Sequence, residues 1–158
     1  MPDLFHKIES SIKEVLLIEK GIIFLVDEDK DLIYRIDEND KEIFSPCNVG
    51  IIGQAIMERH LYEVHAPNNN PYFNPKVDID TQRPLLCLPI WSKIHEKNKL
   101  IAMVQIIDLQ LIGNKLKVKT DSSIDSESLH IFIDILRACI EKAMDLPNFT
   151  LGMNLEKK

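Results

Sequence analysis

The chain has 158 residues, 45% of them apolar, with a formal charge of -6 from 25 acidic against 19 basic side chains. A single domain of this length buries roughly 68–70% of the surface its unfolded chain exposes, enough for a core without metal or disulfide staples. The acidic balance speaks against a nucleic-acid binder that tracks phosphates, and five Gly with eight Pro are too few for a low-complexity chain.

Cys47, Cys87 and Cys139 are odd in number, far apart and outside any C-x-x-C pair. That pattern predicts neither a secreted disulfide framework nor a zinc site built on cysteine. The N-terminal residues show no charged leader followed by a long apolar run, so no signal peptide is expected. Apolar stretches such as residues 22–26 fall far short of the ~20 residues that cross a bilayer, so no membrane partner is expected. The expectation is a cytoplasmic protein, with a place in a larger cytoskeletal or signalling assembly left open.

Leu4, Phe5, Ile8, Ile12, Val15 and Leu16 recur at helical spacing and predict an amphipathic helix over residues 1–20, with Gly21 as its stop. Residues 21–27 and 32–36 read as strands of a hairpin around the acidic turn Glu28-Asp29-Lys30-Asp31, with a third short strand near 41–44. Gly50-Ile-Ile-Gly opens a short helix over 50–59, and its glycines imply a close approach of backbone to another group. A short strand follows over 61–64, and residues 68–75 are rich in turn-forming Asn-Pro pairs. Residues 85–91 and 100–107 are the most hydrophobic strands and are expected at the centre of an antiparallel sheet, with Pro89 at a bulge or strand end. Residues 109–123 admit either an extra strand at 115–118 or a loop. A last helix, capped by Asp125 or Ser126, carries the stripe Leu129, Phe132, Ile133, Leu136, Ile140, Ala143 and Met144. Ile131, Ile135 and Ala138 add a second apolar edge, read either as deeper packing or as a protein interface. Pro147 ends the helix, and residues 147–158 are expected to form a mobile tail after a domain over 21–146.

Gly50-Ile-Ile-Gly-Gln-Ala, Glu63-Val-His, Pro71-Tyr-Phe-Asn-Pro-Lys-Val-Asp-Ile-Asp-Thr81, Leu85-Leu-Cys-Leu-Pro-Ile90 and Ile101-Ala-Met-Val-Gln-Ile-Ile107 occur in that order. The succession resembles a GAF domain, and is most similar to those of cyclic-nucleotide phosphodiesterases and their relatives. The resemblance implies an α+β fold: an antiparallel sheet of about six strands, terminal helices on one face, and pocket-forming loops and short helices on the other. It implies a non-catalytic regulatory or protein-interaction module, taking a small molecule under the loops and a protein partner or second copy through the terminal helices. The alternative is a cAMP or cGMP receptor. A second alternative is a redox enzyme like the free methionine sulfoxide reductases, for which Cys47 and Cys87 would supply thiols.

Carried over position by position, the resemblance puts Tyr34 where an aromatic stacks on the purine, and the backbone of Ile51 and Ile52 where a helix N-terminus meets the cyclic phosphate. Ala66 stands where members tend to place a base-reading Asp, Gln105 points inward from a central strand, and Thr81 ends the covering loop. Phe73 anchors that loop by packing or stacks on a ligand. Three departures stand out: only Gln82-Arg83-Pro84 follow Thr81, Asp108-Leu109 replaces the family's Asn-Lys pair, and Asp125 is followed by Ser126 in place of Glu. Leu109 cannot make the ion pair by which the family holds its lid.

Outside the resemblance, Cys87 reads as a small buried hydrophobe and Cys139 as core. His60 and His65 bracket a short strand on opposite faces, the geometry of a solvated surface and not of a metal site. The acidic turn lacks the Gly and closing Glu of a calcium loop. No catalytic residue is predicted.

Overall fold

Aliphatic and β-branched runs pair here into a six-stranded sheet of order β3-β2-β1-β6-β5-β4 with every neighbour antiparallel. The structure is a computed structural model that describes residues 6–10, 20–93, 99–107, 109–112, 115–118, 123–124 and 126–144. The strands are β1 (Lys20–Asp27), β2 (Leu32–Ile36), β3 (Glu42–Ser45), β4 (Tyr62–Val64), β5 (Leu85–Trp91) and β6 (Leu100–Ile107). Helix α1 (Gly50–Glu58) lies between β3 and β4, a 3-10 turn (Pro67–Asn69) follows β4, and α2 (Ser126–Met144) closes the described chain. This is the expected α+β architecture.

Acidic side chains make the turns. Asp27 Oδ1 accepts the Lys30 N–H at 3.2 Å, and Asp31 adopts the left-handed φ of 52° that ends the β1–β2 hairpin. In the next turn Asp37 Oδ1 accepts the N–H groups of Asn39 and Lys41 at 2.8 and 2.9 Å.

Two expectations change. Gly21 does not stop a helix; it lies within β1, opposite Ile106 of β6, because the sheet claims the chain from Lys20 onward. Residues 6–10 are helical, whereas the predicted end of that helix falls outside the described residues. Pro89 sits inside β5 opposite Met103, and the irregularity comes after it, between Ile90 and Trp91. It is tolerated because β4 pairs only as far as Cys87, so the missing N–H interrupts no ladder on that side. Of the two readings of the segment after β6, the strand at 115–118 is present as β8 (Lys115–Val118), which pairs between β7 (Leu109–Ile112) and β9 (Ser123–Ile124) in a separate antiparallel sheet.

Alternation along the strands makes two cores. Ile23, Leu25, Tyr34, Leu86, Leu88, Val104 and Ile106 face α2 and pack on Phe132, Leu136 and Ile140, with Ile8 against the same cluster. Ile22, Phe24, Ile33, Cys87 and Met103 face the other way, onto Ile52, Ala55, Ile56 and Val77. A smaller cluster of Ile51, Val64, Leu85 and Ile107, joined by Phe73 and Ile79, completes this second layer. Each fully buried aliphatic side chain contributes about 1.5–3 kcal/mol of transfer free energy. Helix α2 is also held by polar contacts: Glu141, 2% exposed, accepts the Ser92 hydroxyl at 2.6 Å and the Lys93 N–H at 2.8 Å. Arg137 Nε donates to the Trp91 carbonyl at 2.6 Å. Among the described residues, no helix is long and apolar enough to cross a membrane.

Candidate functional site

The face opposite α2 is roofed by α1 and the segment from Ala66 to Pro84, and one carboxylate ties the roof together. The first turn of a helix leaves N–H groups without intrahelical partners, and these attract an anion. In α1 the Ile51 N–H donates to Asp78 Oδ2 at 2.8 Å and the Ile52 N–H to Asp78 Oδ1 at 3.2 Å. The Asn74 N–H adds a third bond to Oδ2 at 2.9 Å. Burial raises the Asp78 pKa above its usual 3.8, opposed by these N–H donors and by the charge of Arg35. Arg35, 9% exposed, donates from Nε to the Val77 carbonyl at 3.1 Å and lies over the Phe24 ring at 5.8 Å.

The glycines of α1 follow from this packing. Gly50 has φ 80°, and a Cβ there would stand 2.6 Å from Asp78 Oδ2. A Cβ on Gly53 would stand 2.6 Å from the Asn48 carbonyl carbon. The close approach expected from the Gly-Ile-Ile-Gly spacing is therefore made by the chain to itself.

The residues expected to line a pocket do not all meet. Tyr34 faces α2, its ring 4.9 Å from Phe44 and its hydroxyl donating to Glu42 at 3.0 Å, so it is separated from the roof by the sheet. The even spacing of β2 decides this: Ile33 and Arg35 take the roof side, and Tyr34 takes the other. The backbone of Ile51 and Ile52 lies in the first turn of α1, and its donors are bound to Asp78. Ala66 precedes the 3-10 turn, and Phe73 packs in the cluster around Ile51. Thr81 accepts the Asn68 N–H on its carbonyl and the Arg83 N–H on Oγ1, both at 3.1 Å, closing the loop on itself. Ile131 and Ile135 are 60% and 59% exposed, and Ala138 is exposed beside them.

Gln105 is brought under the roof. It is completely buried between Cys87 and Ile22 of the neighbouring strands, and neither its amide oxygen nor its nitrogen meets an oxygen or nitrogen partner among the described residues. The Cys87 thiol beside it is a weak partner. Burial pushes that thiol up to about 12, and burial with the nearby Asp31 and Glu28 pushes Cys47 up to about 11. Both stay protonated at neutral pH and are poor nucleophiles. Cys139, expected in the core, is exposed on α2. His60 and His65 are exposed, each beside its own carboxylate, Glu58 at 3.5 Å and Glu63 at 3.3 Å.

Sequence reasoning passed over Asp78 and Arg35. For Arg35 the signal was present: a permanent cation alternating with apolar residues in Leu-Ile-Tyr-Arg-Ile needs a buried partner. For Asp78 the sequence offers only a Val-Asp pair in a turn-rich loop, and its partner lies 26 and 27 residues earlier.

No family profile matches the sequence, and no curated protein matches it significantly. Solved structures do. The GAF domain of an Acinetobacter phosphoenolpyruvate-protein phosphotransferase superposes with a TM-score of 0.61 at 11% identity, over 94% of this chain and 86% of that one. The corresponding domain from Coxiella burnetii gives 0.58 at 11% identity, over 89% and 80%. A free methionine-R-sulfoxide reductase from Neisseria meningitidis, solved with its substrate, gives 0.55 at 16% identity, over 89% and 80%. At these identities the likeness is one of architecture: the chain has the GAF fold, an antiparallel sheet with terminal helix on one face and a loop-built roof on the other.

Proposed function

We propose that this chain is a non-catalytic regulatory module that holds a small uncharged polar molecule between sheet and roof and associates through its last helix. The observation that carries the reading is Gln105: a buried amide with no oxygen or nitrogen partner, and only the weak Cys87 thiol beside it, is costly, about 1–3 kcal/mol, and a ligand bearing one acceptor and one donor removes that cost. An uncharged ligand is favoured because the N–H groups at the start of α1, which would attract an anion under the roof, are already bound to Asp78. The same contact, with Tyr34 on the far side of the sheet, weighs against the cyclic-nucleotide and phosphodiesterase-like alternative. The high pKa of Cys47 and Cys87 weighs against the reductase alternative, which needs a thiolate.

Native mass spectrometry of the purified chain tests the roof. The expected result is an added small-molecule mass on the wild type that is lost in Gln105→Met. A bare mass for both, with Gln105→Met the more stable protein, would show a merely orphaned amide and end the proposal. Adding cAMP or cGMP is expected to leave the melting temperature unchanged; a rise would favour the nucleotide alternative instead.

A further inference from the structure

The sheet opens where β1 and β2 part. Their pairing runs only from Asp27 and Leu32 to Leu25 and Tyr34, although β1 begins at Lys20 and β2 continues to Ile36. Beyond that point the Ile23 N–H donates at 3.1 Å to the carboxylate of Glu9, which comes from the helical residues 6–10. A cavity of about 330 Å³ occupies the opening, with Glu9, Lys20, Gly21, Arg35 and Glu38 in its wall. Its size is at the small end for metabolite sites, and no described residue of its wall belongs to α1 or to the roof segment.

The polar groups of the wall are unevenly satisfied. Lys20 Nζ is 2.5 Å from Glu38, and His6 Nε2 is 2.5 Å from Asp40. The Asp37 carboxylate is taken by the N–H groups of its own turn. Arg35 uses only Nε, on Val77; its two terminal nitrogens have no hydrogen-bond or ion-pair partner among the described residues. A guanidinium edge left open on a cavity is the geometry that receives a carboxylate through two parallel bonds. Among the described residues of the wall, the carboxylates of Glu9, Asp37 and Glu38 stand with His6 and the cations Lys20 and Arg35, so no surplus of positive charge is left for a more highly charged anion. Glu9 has one oxygen on Ile23 and the other 3.7 Å from the His6 ring; the charges of Lys20 and Arg35 reach it, but it makes no direct ion pair with a Lys or Arg among the described residues. Its raised pKa, caused first by burial, agrees with that deficit.

We propose that the opening between β1 and β2 is a binding site for a small zwitterion of the α-amino-acid type, its carboxylate on Arg35 and its ammonium on Glu9. The proposal does not depend on a ligand under the roof, although Arg35 is bonded to the roof segment through the Val77 carbonyl.

Calorimetric titration of the full chain with each of the common amino acids tests it, with 4-methylpentanoate and isoamylamine as controls that keep one charge of leucine each. At least one amino acid should bind, and neither control should match it. Arg35→Gln should weaken that binding about 10- to 100-fold. Should Arg35→Gln fail to fold, Glu9→Gln carries the same test, and should lower affinity for the amino acid. Amide resonances of Gly21, Ile22 and Ile36 should move on binding, while those of Ile51 and Val64, on the far side of the sheet from β2, stay in place. Absence of binding by every amino acid, equal binding of the carboxylate control, or shifts confined to Ile51 and Val64 would each overturn the proposal.

Discussion

Gly50 holds a left-handed φ of 80° with an Asp78 oxygen where its Cβ would point, so an alanine there is opposed by backbone strain and by the carboxylate together. Gly50→Ala is expected to cost about 2–3 kcal/mol in urea unfolding. An unchanged midpoint would mean that the Asp78 contact is not made. Glu9 permits a test with a definite sign. Burial raises its pKa above 4.5, against the Ile23 N–H and the charges of His6, Lys20 and Arg35. A raised folded pKa means that the stability the group lends is complete below the unfolded value and is lost as pH rises through the folded one. Glu9→Gln keeps an acceptor for Ile23 and never ionises. Its stability should equal that of wild type near about pH 4 and exceed it near about pH 7. A wild-type advantage that grows with pH would contradict the placement of Glu9.

Helix α2 buries one stripe and exposes another. Phe132, Leu136 and Ile140 are buried, whereas Ile131, Ile135 and Ala138, spaced by four and three residues, lie on the outside. That spacing is the seam by which helices pair, and an apolar seam left in water favours a partner. Under the proposed association, sedimentation should give a dimeric mass for the wild type and a monomeric one for Ile131→Asp combined with Ile135→Asp. Two monomers would remove self-association.

The sheet is clamped from both sides by buried carboxylates that share no partner. Asp78 holds the roof through the N–H groups of Ile51, Ile52 and Asn74, and Glu141 holds α2 through Ser92 and Lys93. Truncating either to alanine strands buried donors and should cost about 2–4 kcal/mol. Because the anchors stand on opposite faces, the double variant should lose the sum of the two within about 0.5 kcal/mol, measured by denaturant unfolding. A larger discrepancy would show that roof and helix are coupled through the sheet, the route by which occupancy on one face would reach a partner on the other.

Strands, turns and the buried stripe of α2 were legible in the residues because they rest on local pattern: short hydrophobic and β-branched runs in β1, β2, β5 and β6, acidic turn residues, and the stripe of Phe132, Leu136 and Ile140. The ordered fragments from Gly50 to Ile107 likewise pointed to the roofed sheet. What occupies the functional positions was not legible, since it depends on groups far apart in the chain. Asp78 fills the start of α1, β2's register turns Tyr34 away from the roof, and the early parting of β1 from β2 opens a cavity against Arg35 and Glu9. Such contacts are made when the sheet closes and two distant segments compete for one donor or one space, and no periodicity along the chain records that competition.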